Sequence, residues 1–177
     1  MRIIAGRNKG RTLKTPAWEG LRPTSDRLRE TLFNVLAPRI AGARVLDVFA
    51  GTGAVALEAL SRGAALAVCI ESRRRATDLI AENRTRTGEQ ERCRIVSATA
   101  ELALRAPIEG GPFDIVFLDP PYDYEDLASV MSAALTQRAT GGVMVVEHAS
   151  RRPLPVISEG VPSRTVRAGD SSLSLFT

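Results

Sequence analysis

The sequence predicts an α/β protein built around a mostly parallel β-sheet with helices on both faces. Short, continuously apolar runs alternate with helix-like segments along most of the chain, a pattern typical of strands that are buried on both sides. A glycine turn, AGTG, directly follows the first of these runs, as in folds that bind a ligand at the carboxyl ends of parallel strands. Two final alternating runs, SRTVRA and SSLSLF, predict an antiparallel hairpin at or near one edge of the sheet.

The predicted elements follow one another in a regular order. The first is a helix in TSDRLRETLFNVL, which Thr24 or Ser25 can cap and which Pro38 and Gly42 end. After it we expect, in chain order, strand RVLDVF (44–49), helix AVALEALSR, strand LAVCIE (66–71), helix SRRRATDLIAENRTRT, strand CRIVS (93–97), a brief helix near 99–105, strand FDIVFLD (113–119), helix EDLASVMSAALTQ and strand GVMVVEH (142–148). If the first and fourth strands are neighbours, the loops that follow them, AGTG and DPPY, face one crevice.

The length and composition are those of one globular domain. The chain has 177 residues, of which 44% are hydrophobic and 25% charged, and this size suits a single domain over residues 1–177. No apolar run reaches the roughly 18 residues of a membrane-spanning helix, and MRIIAGRNKG lacks the apolar core of a signal peptide. We therefore expect a cytoplasmic location and no membrane partner; separately, we expect a monomer.

The few histidine and cysteine residues argue against two classes of site. His148 is the only histidine, and Cys69 and Cys93 are not spaced as metal ligands, so we expect neither a Ser–His triad nor a bound metal. Cys69 lies in the apolar run LAVCI, which predicts a buried thiol, and a disulfide is not expected in a reducing compartment.

Basic residues are concentrated at the start of the chain. Residues 1–22 contain six basic residues and one acidic residue, whereas the whole chain has a net charge of only +4. We therefore distinguish a short basic arm (1–24) from the globular core (25–177). A basic arm of this kind can contact phosphates; the alternative is a solvated surface without a ligand.

The glycine turn fits two different cofactors. In VLDVFAGTGAVALE, Gly51, Gly53 and Ala56 match the G-x-G-x-x-G/A fingerprint of nicotinamide enzymes, and Glu71 stands where a ribose-binding acid is expected. The same turn also fits a methyltransferase that uses S-adenosylmethionine (SAM). Glu71 suits the ribose hydroxyls of either cofactor, so the turn alone does not choose between hydride and methyl transfer.

Asp47, near the end of the first predicted strand, favours SAM. A buried carboxylate is costly without hydrogen bonds, and an anion at this position would repel the pyrophosphate that a dinucleotide places on the turn and the next helix. SAM has no phosphate and carries a sulfonium and an ammonium cation, which Asp47 can attract. The alternative, in which Asp47 accepts hydrogen bonds only from local backbone N–H groups, stays open.

The stretch Asp119-Pro120-Pro121-Tyr122 favours methyl transfer. Consecutive prolines stiffen the turn and remove two backbone donors, so the carboxylate and the carbonyl groups form a pocket that accepts an exocyclic NH₂. Accepting its two hydrogens turns the nitrogen lone pair toward the methyl group, and Tyr122 offers a face for base stacking. A structural proline turn capped by Asp119 is the alternative, which the position after an apolar strand makes less favourable.

Four stretches are shared with a known family: MRIIAGRNKGRTLKTP, RPTSDRLRETLFNVL, VLDVFAGTGAVALEALSRGA and FDIVFLDPPYD. Together they resemble the RsmD family of bacterial 16S ribosomal RNA guanine-N2 methyltransferases over essentially the full length of the chain. The first two stretches are not general features of methyltransferases, so they are more specific than the glycine turn. The resemblance implies a Rossmann-like class I SAM-dependent methyltransferase fold with a seven-stranded sheet, and SAM as the methyl donor. It also implies that the substrate is 16S rRNA within an assembled or assembling small ribosomal subunit.

The resemblance also implies roles for individual residues. The residues expected to hold the guanine amine are Asp119, Pro120, Pro121 and Tyr122. The residues expected to bind the cofactor are Asp47, Phe49, Ala50, Gly51, Thr52, Gly53, Glu71, Ser72, Thr99 and Ala100. The residues expected to contact the RNA or to lie near the reaction crevice are Arg2, Arg7, Lys9, Arg11, Arg22 and Thr24.

Two positions depart from the family pattern. Thr99 stands where the family usually has an aspartate that bonds the adenine amine, and a neutral hydroxyl is a weaker acceptor. Ala168, before Gly169 and Asp170, stands where the family often has an aromatic residue. The first departure predicts weaker binding of the adenine end of SAM.

Two other functions remain open from the sequence. A DNA adenine-N6 methyltransferase would use the same kind of amine pocket, but the predicted sheet takes up nearly all of this chain and leaves no domain that could read a duplex. A non-catalytic RNA-binding assembly factor could keep the fold, but it would not need an intact glycine turn and DPPY loop. The sequence therefore favours rRNA methylation.

Overall fold

A computed structural model of the chain describes residues 1–16, 18, 25–158 and 160–177. The α-helices are α1 (Asp26–Leu36), α2 (Ala54–Ser61), α3 (Arg74–Thr87), α4 (Ala100–Ala103) and α5 (Leu127–Thr136), and a 3₁₀ turn (Ala37–Arg39) follows α1. The strands are β1 (Arg44–Asp47), β2 (Leu66–Glu71), β3 (Cys93–Ser97), β4 (Phe113–Leu118), β5 (Arg138–Ala149), β6 (Arg164–Ala168) and β7 (Ser171–Phe176). Across these described ranges, no helix combines the length and the apolar character needed to cross a lipid bilayer.

The strands form one seven-stranded sheet in the order β3-β2-β1-β4-β5-β7-β6. The first five strands in this order are parallel, whereas β7 runs antiparallel to both β5 and β6. The predicted α/β class and the predicted antiparallel hairpin are therefore confirmed. Because β1 and β4 are adjacent and the winding of the chain reverses between them, the loops after these two strands share one end of the sheet.

The predicted elements match the observed ones, and the differences have local causes. β2 and β3 have the predicted bounds. β1 ends at Asp47, earlier than predicted, because the chain leaves the sheet to form the glycine turn. β5 begins at Arg138, also earlier than predicted, because Arg138 pairs with Phe113 across an irregularity in the ladder between β4 and β5.

A serine cap and an apolar stripe define α1. The Oγ atom of Ser25 accepts a hydrogen bond from the N–H group of Leu28 at 3.2 Å, which satisfies a donor that the first helical turn leaves unpaired. Ser25 is thus the cap, and the other predicted cap, Thr24, lies outside the described residues. Leu28, Leu32 and Leu36 are buried on the side that faces the sheet.

The two faces of the sheet are covered by separate apolar clusters. One cluster includes residues of α1, α2 and the first residues of the chain, and the other includes residues of α4 and α5. In β1, Val45 contributes to the first cluster and Leu46 to the second, as the alternation of side chains along a strand requires. Asp47 therefore follows Val45 on the face that α1 and α2 cover.

Residues 1–16, the N-terminal segment, pack against α2 and α3. Ile3 and Leu13 are each 1% exposed and belong to the first apolar cluster. Glu58 of α2 accepts two backbone N–H groups of the segment, at 2.7 and 2.9 Å. Asn83 of α3 exchanges two hydrogen bonds with the backbone of the segment, at 2.8 and 3.1 Å. Over these residues the basic arm is therefore part of the folded domain and not a free tail.

Candidate active site

A cavity of about 610 Å³ opens at the carboxyl ends of the parallel strands, in the size range of small-molecule sites. It is where the adjacent loops after β1 and β4 meet. Its wall contains most of the residues that the sequence predicts for the cofactor and the acceptor amine: Asp47, Phe49, Ala50, Gly51, Thr52, Glu71, Ser72, Thr99, Ala100, Asp119, Pro120, Pro121 and Tyr122. Gly53 is the predicted cofactor residue that does not line the wall.

The two glycines of the turn differ in their surroundings. Gly51 lines the cavity with φ at 54°, and Gly53 precedes α2 with φ at 75°; both values lie in the left-handed region, which glycine adopts without strain. A Cβ atom at Gly53 would lie 3.1 Å from Cγ2 of Ile80 in α3. A side chain at Gly53 would therefore point at Ile80 and not into the cavity, and the cofactor-binding role of Gly53 stays a prediction.

Glu71 forms one side of the cavity at the end of β2. Its Oε2 atom accepts a hydrogen bond from the Gly51 N–H group at 3.0 Å, and its Oε1 atom accepts one from the Arg73 N–H group at 2.8 Å. Each carboxylate oxygen can accept a second hydrogen bond. Glu71 is thus held beside the glycine turn with acceptor capacity left for the hydroxyl groups of a ligand.

Asp47 is the buried carboxyl group of the cavity. It is 1% exposed, and neither of its carboxyl oxygens has a hydrogen-bond partner among the described residues. Burial raises the pKa of Asp47 to about 8, the negative charges of Asp119 and Glu71 add to this rise, and the backbone N–H group of Ala56 opposes it. The Ala56 N–H group thus lies near the Asp47 carboxyl group without meeting full hydrogen-bond geometry, so the alternative role for Asp47, acceptance of local backbone N–H groups, stays open. A bound cation would supply stabilisation that the carboxylate does not obtain in full from the described residues.

The loop of Asp119 to Tyr122 directly follows β4 and forms the opposite wall. The Tyr122 hydroxyl donates to Oε1 of Glu147 at 3.2 Å and lies 3.2 Å from Oγ of Ser171. The Tyr122 carbonyl accepts a hydrogen bond from the guanidinium of Arg152. These contacts hold the ring in place while 41% of the residue stays exposed, so a base can reach its face.

The end of the cavity near α4 contains an aromatic pair. Tyr124 packs edge-on against Phe49 with the ring centroids 5.1 Å apart, and its hydroxyl donates to Glu101. Burial and this hydrogen bond raise the pKa of Tyr124, and the same bond lowers the pKa of Glu101. Thr99 caps α4, with its Oγ1 atom accepting from the Leu102 N–H group at 3.3 Å. The Thr99 hydroxyl therefore already has a structural task.

The wall also contains residues that the sequence does not predict for the site. They come from separate parts of the chain: Ser25, Leu28, Glu101, Tyr124, Glu147 and Ser171. For most of them no local pattern indicates a site. Glu147 is different, because it is a carboxylate at the end of an apolar run, GVMVVEH. The same pattern led to Asp47 and could have identified Glu147.

Two basic residues of the N-terminal segment have partners within the protein. Arg7 makes three hydrogen bonds of 2.6 to 3.1 Å to the carboxylate of Glu89, which is 1% exposed. Arg11 donates to the backbone carbonyl of Arg86 at 2.8 Å. Arg7 therefore compensates a buried charge, a structural role that the sequence did not predict.

Two other basic residues of the segment are better placed to meet an external anion. Arg2 and Lys9 border a shallow hollow beside the start of α1, whose wall also contains the carboxylates of Asp26 and Glu30. In the part of the chain that the structure describes, neither residue forms an ion pair with a carboxylate. Arg22, which was predicted to lie near the reaction crevice together with Thr24, falls like Thr24 outside the described residues.

The chain matches one family model over its whole length and several named relatives over part or nearly all of it. The model described as Conserved hypothetical protein 95 matches residues 1–177. Ribosomal RNA small subunit methyltransferase D of Escherichia coli (strain K12) is 48% identical over 122 residues, which cover 69% of this chain and 60% of that protein. This chain thus spans less than two thirds of the length of that relative. YlbH of Bacillus subtilis (strain 168), provisionally named an rRNA methyltransferase, is 32% identical over 181 residues, which cover 99% of this chain and 98% of that protein.

A solved structure has the same architecture. The structure of yhhF from Escherichia coli, provisionally described as a methyltransferase, matches with a TM-score of 0.85 and 39% sequence identity. The match covers 99% of this chain and 96% of that chain. The N-terminal segment and the C-terminal hairpin of this protein are therefore included in the shared fold.

Proposed function

This chain belongs to the RsmD family, whose model is described as Conserved hypothetical protein 95, and we propose that it transfers a methyl group from SAM to the N2 amine of a guanine in 16S rRNA. Its fold is that of a class I SAM-dependent methyltransferase. One observation carries the proposal. A single cavity joins a buried carboxyl group that has no full hydrogen bond among the described residues, a ribose-type acceptor and the DPPY loop.

The residues on the β1 and β2 side of the cavity fit SAM. The carboxyl group of Asp47 would face a cation of the cofactor, and Glu71 would accept the ribose hydroxyls beside Gly51. Bound SAM would supply a methyl group carried on a sulfonium sulfur. When the methyl group is transferred, the sulfur becomes a neutral thioether and the acceptor nitrogen loses one proton. A dinucleotide fits less well, because its pyrophosphate would lie near the acidic Asp47.

The residues after β4 act on the acceptor base. Asp119 and the carbonyl groups of the loop accept the two hydrogens of the amine, which turns the nitrogen lone pair toward the methyl group. Holding the two reacting atoms about 3–3.5 Å apart removes much of the entropy barrier. Tyr122, fixed through its hydroxyl by Glu147 and Ser171, stacks on the base. The prolines offer no N–H groups that would compete for the carbonyls.

The names of the relatives support the choice of RNA. The Escherichia coli relative is named for the small ribosomal subunit, so 16S rRNA in an assembled or assembling small subunit is the proposed substrate. The protein would act on it as a monomer in the cytoplasm. Arg2 and Lys9 would contact phosphates of the RNA next to the target guanine.

The test is transfer of tritiated methyl groups from SAM to three acceptors, compared side by side. Small subunits from cells that lack the gene should be methylated, whereas naked 16S rRNA and duplex DNA should not. The label should map to one guanosine, which loses its N2 methyl group when the gene is deleted and regains it when the gene is restored. Label on adenine in duplex DNA would instead support a DNA adenine-N6 methyltransferase.

The Asp47 carboxyl group should contribute to cofactor binding through its charge. Asp47→Asn should weaken SAM binding by at least about 1.5 kcal/mol, the low end for a hydrogen bond to a charged group, and Glu71→Ala should do the same. Because the pKa of Asp47 is raised to about 8, the group is mostly protonated at pH 7 and must release its proton to pair with a cation. Calorimetry in two buffers of different ionisation enthalpy should therefore show proton release by the wild type and less by Asp47→Asn.

The control for this prediction is the protein without cofactor. The folded pKa of Asp47 is above its ordinary value of 3.8, so this group makes the unliganded protein less stable as the pH rises from about 4 to about 8. Asp47→Asn should remove this decrease in the stability of the unliganded protein with rising pH. Equal proton release by both proteins, or micromolar binding of NADH without binding of SAM, would overturn the assignment of this end of the cavity.

Thr99→Asp should tighten SAM binding by up to about 1.5 kcal/mol, because a carboxylate is a stronger acceptor for the adenine amine than a hydroxyl. Aspartate is also a good N-cap, so α4 should stay intact. Thr99→Asn is the matched control, since it caps the helix without adding a charge. Calorimetry that shows no change for Thr99→Asp would mean that the adenine amine is held by another group.

Replacing Arg2 and Lys9 together by alanine should raise the apparent KM for small subunits. It should also reduce the slope of log affinity against log salt by roughly 0.7 to 0.9 per phosphate contact removed. At saturating substrate kcat should stay nearly constant, because phosphate contacts are equal in the ground and transition states. Arg94→Ala, which removes an exposed arginine that pairs with Glu109, is the control. An unchanged salt slope would exclude Arg2 and Lys9 as phosphate contacts.

A further inference from the structure

Glu147 stands at the end of β5, beside the DPPY loop. In the ladder between β4 and β5, Leu118 lies opposite Val146. Asp119 and Glu147 are the next residues along the two chains. They therefore lie side by side at the ends of adjacent parallel strands, which are about 4.8 Å apart. Both residues line the same cavity.

One of the two carboxylate oxygens of Glu147 lacks a hydrogen-bond partner in the part of the chain that the structure describes. Glu147 is 2% exposed, and its Oε1 atom accepts the hydrogen bond from the Tyr122 hydroxyl. Its Oε2 atom is buried and has no hydrogen-bond partner among the described residues. A buried acceptor without a donor is costly, so a purely structural role in holding Tyr122 would leave that cost unexplained. A ligand N–H group in the cavity would satisfy this oxygen.

We propose that Glu147 determines the choice of base by accepting the N1–H group of guanine while Asp119 accepts the adjacent N2 amine. This inference rests on the proposed function of the protein. Guanine presents two neighbouring donors, N1–H and N2–H₂, and two neighbouring carboxylates match them. Adenine and cytosine present an unprotonated ring nitrogen beside their amine. That nitrogen would leave Oε2 of Glu147 unsatisfied and would face it with a lone pair.

The hydrogen bond to Glu147 would select guanine more strongly than the shape of the cavity could. A site built to accept a hydrogen bond strongly rejects an analogue that lacks the donor, because the buried acceptor is then left without a partner. Tyr122 stacks on any base and contributes little to the choice. Asp119 meets an exocyclic amine in guanine, adenine and cytosine alike. Glu147 is therefore the residue that separates guanine from the other two.

The test uses small subunits reconstituted with 16S rRNA in which the mapped target guanosine is replaced by the 2-aminopurine ribonucleoside. This base keeps the amine but carries an acceptor at N1. The wild type should methylate guanine on the order of 10- to 100-fold more efficiently in kcat/KM, the range for one hydrogen bond to a charged group. Glu147→Gln should narrow this ratio, because the glutamine NH₂ group can donate to N1 of 2-aminopurine. The missing O6 atom affects both enzymes and cancels when the two ratios are compared.

Two further measurements complete the test. Glu101→Gln changes another carboxylate of the cavity and should leave the ratio of guanine to 2-aminopurine unchanged. The wild type acting on a target N1-methylguanosine, which has no N1–H group, should lose activity on the same scale, and this result does not depend on the folding of any variant. An unchanged ratio in Glu147→Gln, or full activity on N1-methylguanosine, would overturn the role of Glu147. Failure of the wild type on unmodified subunits would instead overturn the proposed function.

Discussion

Asp119→Ala should lower kcat on saturating small subunits by about 100-fold or more, the scale on which removal of one transition-state contact acts. Asp119 follows β4 directly and lines the cavity next to the other residues of the DPPY loop. Its carboxylate acts on the acceptor amine as the lone pair is freed, so its loss should affect the methyl transfer step and not the binding of the cofactor. A contact that strengthens only in the transition state changes kcat and kcat/KM together.

Calorimetry and single-turnover kinetics separate these two effects. SAM binding should persist in Asp119→Ala, because the Asp119 carboxylate is assigned to the acceptor amine and not to the cofactor. Asp126→Ala is the matched control, since Asp126 precedes α5 on the same connection but makes no capping hydrogen bond with its side chain. If Asp119→Ala methylates saturating subunits in a single turnover at the wild-type rate, the role of the DPPY loop is wrong.

Glu58→Gln should lower the free energy of unfolding by about 3 kcal/mol or more, the range for breaking a buried ion pair. Glu58 is fully buried and accepts the N–H groups of Ile4 and Ala5 as well as Nε of Arg62 at 2.7 Å. The guanidinium of Arg29, also fully buried, lies 3.8 Å away. Glutamine would remove the charge that faces Arg29 and would turn one of the acceptors into a donor.

Urea denaturation measures this loss, and limited proteolysis shows where it acts. The N-terminal segment should become accessible to protease in Glu58→Gln before the rest of the domain unfolds. Glu109→Gln is the control, because Glu109 forms an exposed ion pair with Arg94, and exposed pairs contribute little. A denaturation midpoint of Glu58→Gln equal to that of the wild type would mean that Glu58 does not hold the segment.

The sequence predicts the sheet and the main parts of the cavity because their signals are local. Continuous apolar runs such as LAVCIE are buried strands wherever they pack, and β2 has the bounds expected from this run. The turn with Gly51 and the loop with Asp119 follow strands directly, so their place at one end of the sheet depends only on strand direction. Both loops do line one cavity.

The parts that could not be predicted depend on contacts between distant positions. Arg7 and Glu89 are 82 residues apart. In the sequence Arg7 is one of several basic residues of the N-terminal segment, and no local pattern indicates that it pairs with a buried carboxylate. Tyr122 and Glu147 meet only because β5 pairs with β4. Gly53 has the same local signature as Gly51, but only the folded chain shows that Ile80 of α3 lies where a side chain at Gly53 would point.

The position of β7 between β5 and β6 has a consequence for the way the chain folds during translation. β5 and β6 leave the ribosome before β7, and neither can pair with the other, because β7 separates them in the finished sheet. At about 5–20 residues per second, the nascent chain spends roughly one to five seconds with the edge of β5 unpaired. Exposed strand edges promote aggregation, so this interval is when we expect the protein to depend most on chaperones.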